Sequence, residues 1–370
     1  MIAFTRGVPA PEAFPVEQLG DCSAAALAKY GPQILQYGSF RGFGPLREYI
    51  AAGHEVQPDQ VLLSQGALQI VDFAARSLIT PGTAVLVEQP TYDRVIKVLR
   101  RAGATVVGVP LERDGMDMEA CAACIREYKP LLAYVISDFQ NPSGTTMSVE
   151  KRHAFAALAE ANDMIVLEDV PYRRLRYAGE DLPTIQSLAP ERTIQLTSFS
   201  KLLSPGLRVG VAFGPQPWMD RLGKTAQDTY ITPSLLPQAT VFEFIDRGLL
   251  PAQIQKLHDL YRPRLCALLS ALDAEMADLG VWARPDGGFF VGVTLANGFK
   301  AESLIAQAMD AGIQLTDGRD FFADGRGDRF VRLPFCALTP EEIGTGIRSL
   351  AQVVRSLQGR TEGGSHAGTA

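Results

Sequence analysis

Residues 197–210 read TSFSKLLSPGLRVG and place Lys201 directly after an apolar, strand-like run, between serines. Arg208 follows within the same stretch and could bind an anion beside the lysine. Schiff-base chemistry requires such an arrangement, because an amine in a partly desolvated pocket loses its proton more easily. The chain has only eight lysines against 27 arginines. We interpret Lys201 as a candidate nucleophile, with an exposed surface lysine as the alternative.

Short β-branched runs alternate with longer helix-period segments between about Val61 and Gly214. This alternation is typical of an α/β fold with a mostly parallel sheet covered by helices on both faces. The predicted strands lie at 84–88, 105–109, 131–137, 164–169, 193–199 and 209–213. Helices are predicted between them, including one over Val149–Ala161 with Ser148 as its N-cap.

The pattern changes after the sheet-forming region. An amphipathic segment at 251–279 is predicted to be a long linking helix, and a smaller α+β unit follows it. The first 55 residues are weakly patterned and are expected to pack on this C-terminal unit. We divide the chain into 1–55 (N-terminal segment of the small domain), 56–245 (large domain), 246–358 (linking helix and C-terminal small domain) and 359–370 (disordered tail).

Composition excludes several classes of protein. The 370 residues are 46% hydrophobic and 21% charged, with a net charge of -6, so neither disorder nor a basic nucleic-acid-binding surface is indicated. The five cysteines do not suggest a disulfide framework, and neither they nor the four histidines have metal-ligand spacing. No signal-peptide or membrane-spanning pattern occurs. We predict a cytoplasmic protein that binds small molecules and no metal, membrane or nucleic acid.

Two further segments bring polar residues to the ends of predicted strands. Residues 164–172, MIVLEDVPY, end a strand with Glu168 and Asp169, and ligands bind at the carboxyl edge of such sheets. Residues 138–144, DFQNPSG, place Asn141 in a tight turn after another strand. Taken alone, the acidic pair could cap the following turn, and the second segment could be only a turn.

Together these segments resemble the fold-type I pyridoxal-phosphate enzymes of the aspartate aminotransferase superfamily. Within it they are most similar to the 2-aminoadipate and aromatic aminotransferases and the effector domains of MocR-type regulators. The resemblance covers nearly the whole chain and rests on motifs at 37–46, 64–69, 90–92, 139–144, 168–172, 198–201, 208, 287–290 and 332–333. It implies a seven-stranded, mostly parallel sheet in the large domain, and pyridoxal 5′-phosphate as cofactor.

The resemblance also implies residue roles. Lys201 would form the Schiff base and move protons at the substrate Cα, while Asp169 would keep the pyridine nitrogen protonated. The other cofactor contacts would be the phosphate cradle of Gly66, Ala67, Leu68, Ser198, Ser200 and Arg208, the ring-stacking Tyr92, and Asn141 and Tyr172 at O3′. Arg332 would bind the substrate α-carboxylate beside Asn141. Tyr37 would reach the phosphate of the neighbouring subunit, which implies a homodimer.

The substrate side chain is left open by conflicting residues. Asp138 follows a strand next to the expected cofactor pocket, where it is either a solvated turn residue or a group that favours a cationic side chain. Arg6 and Arg41 could instead favour an acidic one.

We expect transfer of the α-amino group of an L-amino acid to a 2-oxo acid. The alternatives are a specialised enzyme of secondary metabolism on the same fold, such as a cyclase, a replacement or elimination enzyme or an oxidase, and a regulator domain that senses the cofactor. The regulator is disfavoured because the sequence starts without a DNA-binding module.

Overall fold

The computed structural model describes residues 1–296 and 300–364. Its strands are β1 (Ile2–Phe4), β2 (Val61–Ser64), β3 (Ala84–Gln89), β4 (Thr105–Glu112), β5 (Gly115–Met116), β6 (Leu132–Val135), β7 (Ile165–Asp169), β8 (Thr193–Ser198), β9 (Gly210–Phe213), β10 (Gly280–Trp282), β11 (Phe290–Leu295), β12 (Ile313–Leu315) and β13 (Phe330–Pro334). Its helices are α1 (Val16–Tyr30), α2 (Pro32–Leu35), α3 (Gly44–Gly53), α4 (Ala67–Leu78), α5 (Asp93–Arg101), α6 (Met118–Tyr128), α7 (Val149–Ala161), α8 (Ile185–Leu188), α9 (Gln216–Tyr230), α10 (Leu235–Asp246), α11 (Leu250–Glu275), α12 (Ala301–Asp310) and α13 (Pro340–Gly364).

The central sheet has the strand order β2-β9-β8-β7-β6-β3-β4-β5. Strands β4, β3, β6, β7 and β8 run parallel, and β9 is antiparallel to both of its neighbours. Eight strands of the described chain thus form this sheet, where the resemblance implies seven. The additional strand, β5, is a two-residue hairpin partner of β4, which is too short to produce a hydrophobic period.

Both faces of the sheet are covered. Along β3, Val85 and Val87 belong to the apolar cluster formed with α4, α5 and α9. Leu86 points the other way, into the cluster formed with α6 and α7, because successive side chains of a strand face opposite sides. The predicted N-cap of α7 is confirmed, since the Ser148 hydroxyl accepts a hydrogen bond from the Lys151 amide at 3.3 Å.

The smaller unit contains the antiparallel sheet β10-β11-β13 and helices α12 and α13, with α11 leading into it. The first 55 residues contact both units, whereas the sequence assigned them to the smaller one alone. Strand β1 pairs in parallel with β12, while α1 packs against α10. These contacts carry the segment that follows β1 across the carboxyl edge of the large sheet.

Helix α13 continues to Gly364, although the sequence predicted disorder from residue 359. Extending an existing helix avoids the cost of nucleating a new one, which accounts for the difference. Residues 365–370 of the predicted tail lie outside the described residues. Among the helices of the described ranges, none has the length and apolar character needed to cross a membrane.

Candidate active site

A cavity of about 530 Å³ opens at the carboxyl edge of the central sheet. The ends of β7 and β8 and the beginning of α4 form its floor, and residues 5–8 and β13 form its opposite wall. All predicted site residues except Tyr37 line it: Gly66, Ala67, Leu68, Tyr92, Asn141, Asp169, Tyr172, Ser198, Ser200, Lys201, Arg208 and Arg332. The chain thus brings residues from distant parts of its sequence to one pocket.

Lys201 lies just beyond the end of β8, with its amine inside the cavity. The Nζ donates a hydrogen bond to the Gly7 carbonyl at 2.9 Å. It lies 5.5 Å from the ring centroid of Phe289 and 5.9 Å from that of Tyr172. Burial lowers the pKa of this amine, although the negative charge of Asp169 acts in the opposite direction. A lowered pKa makes the neutral, nucleophilic amine more available.

Asp169 ends β7 and is 7% exposed. One carboxylate oxygen, Oδ2, accepts a hydrogen bond from the Tyr134 hydroxyl at 2.8 Å. The other, Oδ1, is buried without a hydrogen-bond partner among the described residues. Burial raises the Asp169 pKa to about 6, while the Tyr134 bond and the charge of Lys201 lower it. Burying an oxygen without a hydrogen-bond donor costs free energy. A protonated ring nitrogen would supply the donor that Oδ1 lacks.

The start of α4 is shaped to bind an anion. Gly66 precedes the helix with φ +96°, a conformation that favours glycine. A Cβ on Gly66 would lie 2.3 Å from Arg208 Nη2, and one on Gly210 would lie 2.4 Å from the Gly66 carbonyl carbon. Arg208 is held by the carbonyls of Gln65 and Pro205. The helix N-terminus, the guanidinium and the hydroxyls lining the same wall therefore fit a phosphate group.

Arg332 lies on β13, with its guanidinium over the rings of Phe290 and Phe321 at 4.9 and 4.6 Å from their centroids. Its Nη1 donates to Asn141 Oδ1 at 3.0 Å, and its Nη2 donates to the Thr5 carbonyl. The Nε is buried without a hydrogen-bond partner within the described ranges. Burial lowers the pKa of Arg332. The guanidinium is therefore fixed in place and still has an unpaired donor for a carboxylate.

Tyr172 and Tyr92 bring aromatic rings to the cavity. Tyr172 is 4% exposed, and its ring meets those of Phe289 and Phe290 at centroid distances of 5.7 and 5.8 Å. Tyr92 lies directly before α5 and is half-buried. Burial raises the pKa of both phenols. Each hydroxyl therefore stays protonated and able to donate a hydrogen bond near neutral pH.

Tyr37 lies outside the cavity of its own chain, with 72% of its surface exposed. It follows α2, and the next residue, Gly38, donates a backbone hydrogen bond to Thr232 Oγ1 at 3.3 Å. A contact with a neighbouring subunit would require such an exposed position. The role of Tyr37 in a second subunit stays a prediction.

The interpretation of Asp138 as a solvated turn residue or a substrate-selecting group is wrong. Its side chain is fully buried and paired with Arg152, Arg173 and Arg176 at 2.9, 3.1 and 3.0 Å. A carboxylate in that position needs compensating charges because it is cut off from water. The arginines that supply them lie outside residues 138–144, so the short motif could not reveal them.

Neighbouring Glu168 is also structural. Its carboxylate accepts hydrogen bonds from the Ser137 hydroxyl and from the amides of Ile185 and Gln186, at the start of α8. It faces away from the cavity because successive strand residues alternate in direction. Arg41, the other open candidate, is bonded to Asp220 and does not line the cavity. Arg6 does line it.

Sequence reasoning missed Tyr134 and the backbone carbonyls on either side of Arg6. Tyr134 is fully buried on β6, next to β7. A tyrosine within an otherwise apolar strand could have signalled a hydrogen-bond partner, since buried hydroxyls need one. The carbonyls of Thr5 and Gly7, which accept from Arg332 and Lys201, carry no signal in the sequence. In the described residues, no group of His, Cys, Asp or Glu side chains could hold a metal ion.

Comparisons with known proteins agree with this geometry. The sequence profile of the family Aminotransferase class I and II matches residues 13–350. The chain is 33% identical to aromatic-amino-acid aminotransferase 1 of Thermococcus litoralis, over 96% of this chain and 88% of that protein. It is 32% identical to the 2-aminoadipate transaminase of Thermus thermophilus, over 96% and 91%.

A solved structure of an α-aminoadipate aminotransferase from Thermus thermophilus, complexed with N-(5′-phosphopyridoxyl)-L-leucine, superposes with a TM-score of 0.92 at 32% identity. The match covers 97% of this chain and 93% of that one. The fold is therefore fold type I, and pyridoxal 5′-phosphate is the cofactor that the family uses. The chain belongs to the class I and II aminotransferases, the pyridoxal-phosphate-dependent transferases that move amino groups between amino acids and 2-oxo acids.

Proposed function

We propose that the cavity around Lys201 transfers the α-amino group of an L-amino acid to a 2-oxo acid, with Lys201, Asp169 and Tyr172 as its catalytic residues. The observation that carries this assignment is the buried, unpartnered Oδ1 of Asp169, in the same cavity as the Lys201 amine. An aspartate so placed suits a ring nitrogen that must keep its proton. A lysine with a lowered pKa suits reversible attack on a carbonyl carbon.

Pyridoxal 5′-phosphate, when bound, supplies an aldehyde for amines and a ring that accepts electron density from the substrate Cα. The chain would hold its phosphate with the backbone of Gly66, Ala67 and Leu68 and with Ser198, Ser200 and Arg208. Asp169 would keep the ring nitrogen protonated, because its carboxylate would stabilise the adjacent positive charge. Tyr92 would stack on the ring, and Asn141 and Tyr172 would donate to O3′.

Arg332 would position the substrate, and Lys201 would transfer its Cα proton. Arg332 binds the α-carboxylate through the Nε and the edge of its guanidinium, while its contact with Asn141 fixes its orientation. Lys201 Nζ would remove the proton from the substrate Cα as general base and deliver it as general acid to the carbon of the cofactor's aldehyde group.

We also infer a homodimer in the cytoplasm. Tyr37 is exposed together with Leu35 and Ile231, which are 69% and 62% exposed. The hydrogen bond between Gly38 and Thr232 brings these two segments together, so they form an apolar surface suited to a partner. The free cysteines fit a reducing compartment.

The experiment that tests the reaction type is a half-reaction without acceptor. Enzyme loaded with cofactor and given a good amino donor should release one equivalent of 2-oxo acid and stop, with the cofactor converted to its amine form. Absorbance and product mass measure both. Many turnovers on one amino acid without a 2-oxo acid would contradict aminotransfer and indicate a cyclase, lyase or oxidase instead.

Arg332→Lys should mainly raise the KM for the amino donor, by about tenfold or more, because a point charge replaces a planar fork with two donors. Steady-state kinetics at saturating acceptor measure this change. Arg329→Lys is the matched control, since Arg329 lies on the same segment but bonds to the Ala296 carbonyl outside the cavity. An unchanged KM in Arg332→Lys would mean that another residue holds the carboxylate.

A further inference from the structure

We propose that Arg6 determines substrate specificity by binding the side-chain carboxylate of a dicarboxylic amino acid or 2-oxo acid. This inference rests on the proposed function, because it takes Arg332 as the group that holds the α-carboxylate and Lys201 as the group that acts at Cα. Arg6 follows β1 and lines the cavity together with them. The position of its backbone and the charges around it support the proposal independently.

The backbone on either side of Arg6 is anchored to the catalytic groups. The Thr5 carbonyl accepts from Arg332 Nη2 and also from Thr316 Oγ1 at 3.1 Å. The Gly7 carbonyl accepts from Lys201 Nζ at 2.9 Å. The Arg6 side chain therefore branches from the backbone between the two carbonyls that contact Arg332, which would hold the α-carboxylate, and Lys201, which would act at Cα. The substrate side chain, which is attached to the same Cα, can then reach Arg6.

The charges around the cavity leave Arg6 without a counter-ion. Lys97 lies 3.5 Å from Asp93 and 3.7 Å from Asp320, and Arg94 lies 3.6 Å from Asp93. Arg208 and Arg332 have the roles in phosphate and α-carboxylate binding argued above. Arg6 is exposed, and no acidic side chain in the described ranges is paired with it. Its guanidinium, at the wall of the cavity, is therefore free to bind a second carboxylate.

The chemistry also disfavours a cationic substrate. Asp138, the residue that could have attracted one, is fully buried among arginines and does not line the cavity. The acids at the rim, Asp93 and Asp320, already face Lys97. A second positive charge brought beside Arg6 would be repelled, whereas a carboxylate would neutralise it.

The test compares donors with one and two carboxylates. In half-reactions of the cofactor-loaded enzyme, Arg6→Ala should lower kcat/KM for L-glutamate or L-2-aminoadipate by about tenfold or more and leave that for L-alanine nearly unchanged. Arg6→Lys should restore part of the loss. Arg94→Ala is the matched control, because it removes a cation of the same cavity that is already paired. Equal losses for alanine and glutamate, or none for either, would overturn the proposal.

A binding measurement separates this proposal from the reaction type. Glutarate carries two carboxylates and pentanoate one, and neither reacts. By calorimetry, Arg6→Ala should weaken glutarate binding about tenfold and leave pentanoate binding unchanged. If the wild-type enzyme fails to release one equivalent of 2-oxo acid but binds glutarate through Arg6, the proposed reaction is wrong and the specificity site stands. Glutarate binding that does not depend on Arg6 would overturn the site.

Discussion

Lys201→Ala is expected to abolish the borohydride-reducible bond between the protein and its cofactor and to lower turnover by about a thousandfold or more, equal to about 4 kcal/mol on the barrier. In the proposed mechanism, the variant loses both the amine that attacks the cofactor carbonyl and the base that acts at Cα. Lys97 is the other lysine at this cavity in the described chain. Its amine is paired with Asp93 and Asp320 at 3.5 and 3.7 Å and its side chain is about half exposed, so it is not buried beside Asp169 as Lys201 is.

The measurement is the mass of the peptide that carries the cofactor after borohydride reduction and digestion, together with the visible absorbance of the purified protein, which should be yellow. Lys97→Ala is the matched control and should keep the bond to the cofactor. Lys201→Arg keeps a positive charge but stays protonated, so it should fail as Lys201→Ala does. Cofactor attached to Lys224 or Lys256 would refute the assignment.

The sequence was sufficient for the parts of the fold that repeat a local pattern. Helix α7 has the predicted bounds, and both the strand that carries Asp169 and the strand that precedes Lys201 begin and end within one residue of the prediction. These segments alternate between buried apolar runs and helix-period stretches. Each is long enough to be predicted without knowing which residues it contacts. The location of the cavity residues could be predicted as well, because the carboxyl ends of parallel strands lie at one edge of the sheet.

What the sequence could not predict depends on distant partners. Strands β1, β10 and β12 have three residues each, which is too few for a hydrophobic period. The burial of Asp138 depends on arginines from α7 and from the segment after β7. The bonds from Lys201 and Arg332 to backbone carbonyls near the N-terminus join residues about two hundred positions apart or more. No local pattern records such pairings.

Asp169→Ala is expected to lower turnover by several orders of magnitude. A carboxylate beside the ring nitrogen keeps that nitrogen protonated, and this charge stabilises the electron pair left when the Cα proton is removed. Losing several kcal/mol of this stabilisation corresponds to a factor on the order of a thousand or more. Single-turnover kinetics at saturating cofactor measure the chemical step without the effect of weaker cofactor binding.

Tyr134→Phe tests the same carboxylate with a smaller change than Asp169→Ala, because it removes only the hydroxyl that donates to Asp169 Oδ2 at 2.8 Å. That bond lowers the Asp169 pKa, which burial raises to about 6. Its loss should raise the pKa further. In the proposed mechanism the ionised carboxylate is the active form, so the acid limb of the rate profile should move to higher pH, with a smaller loss of turnover near pH 8. Near-normal turnover in Asp169→Ala, or an unshifted acid limb in Tyr134→Phe, would show that proton retention at the ring nitrogen does not depend on this pair.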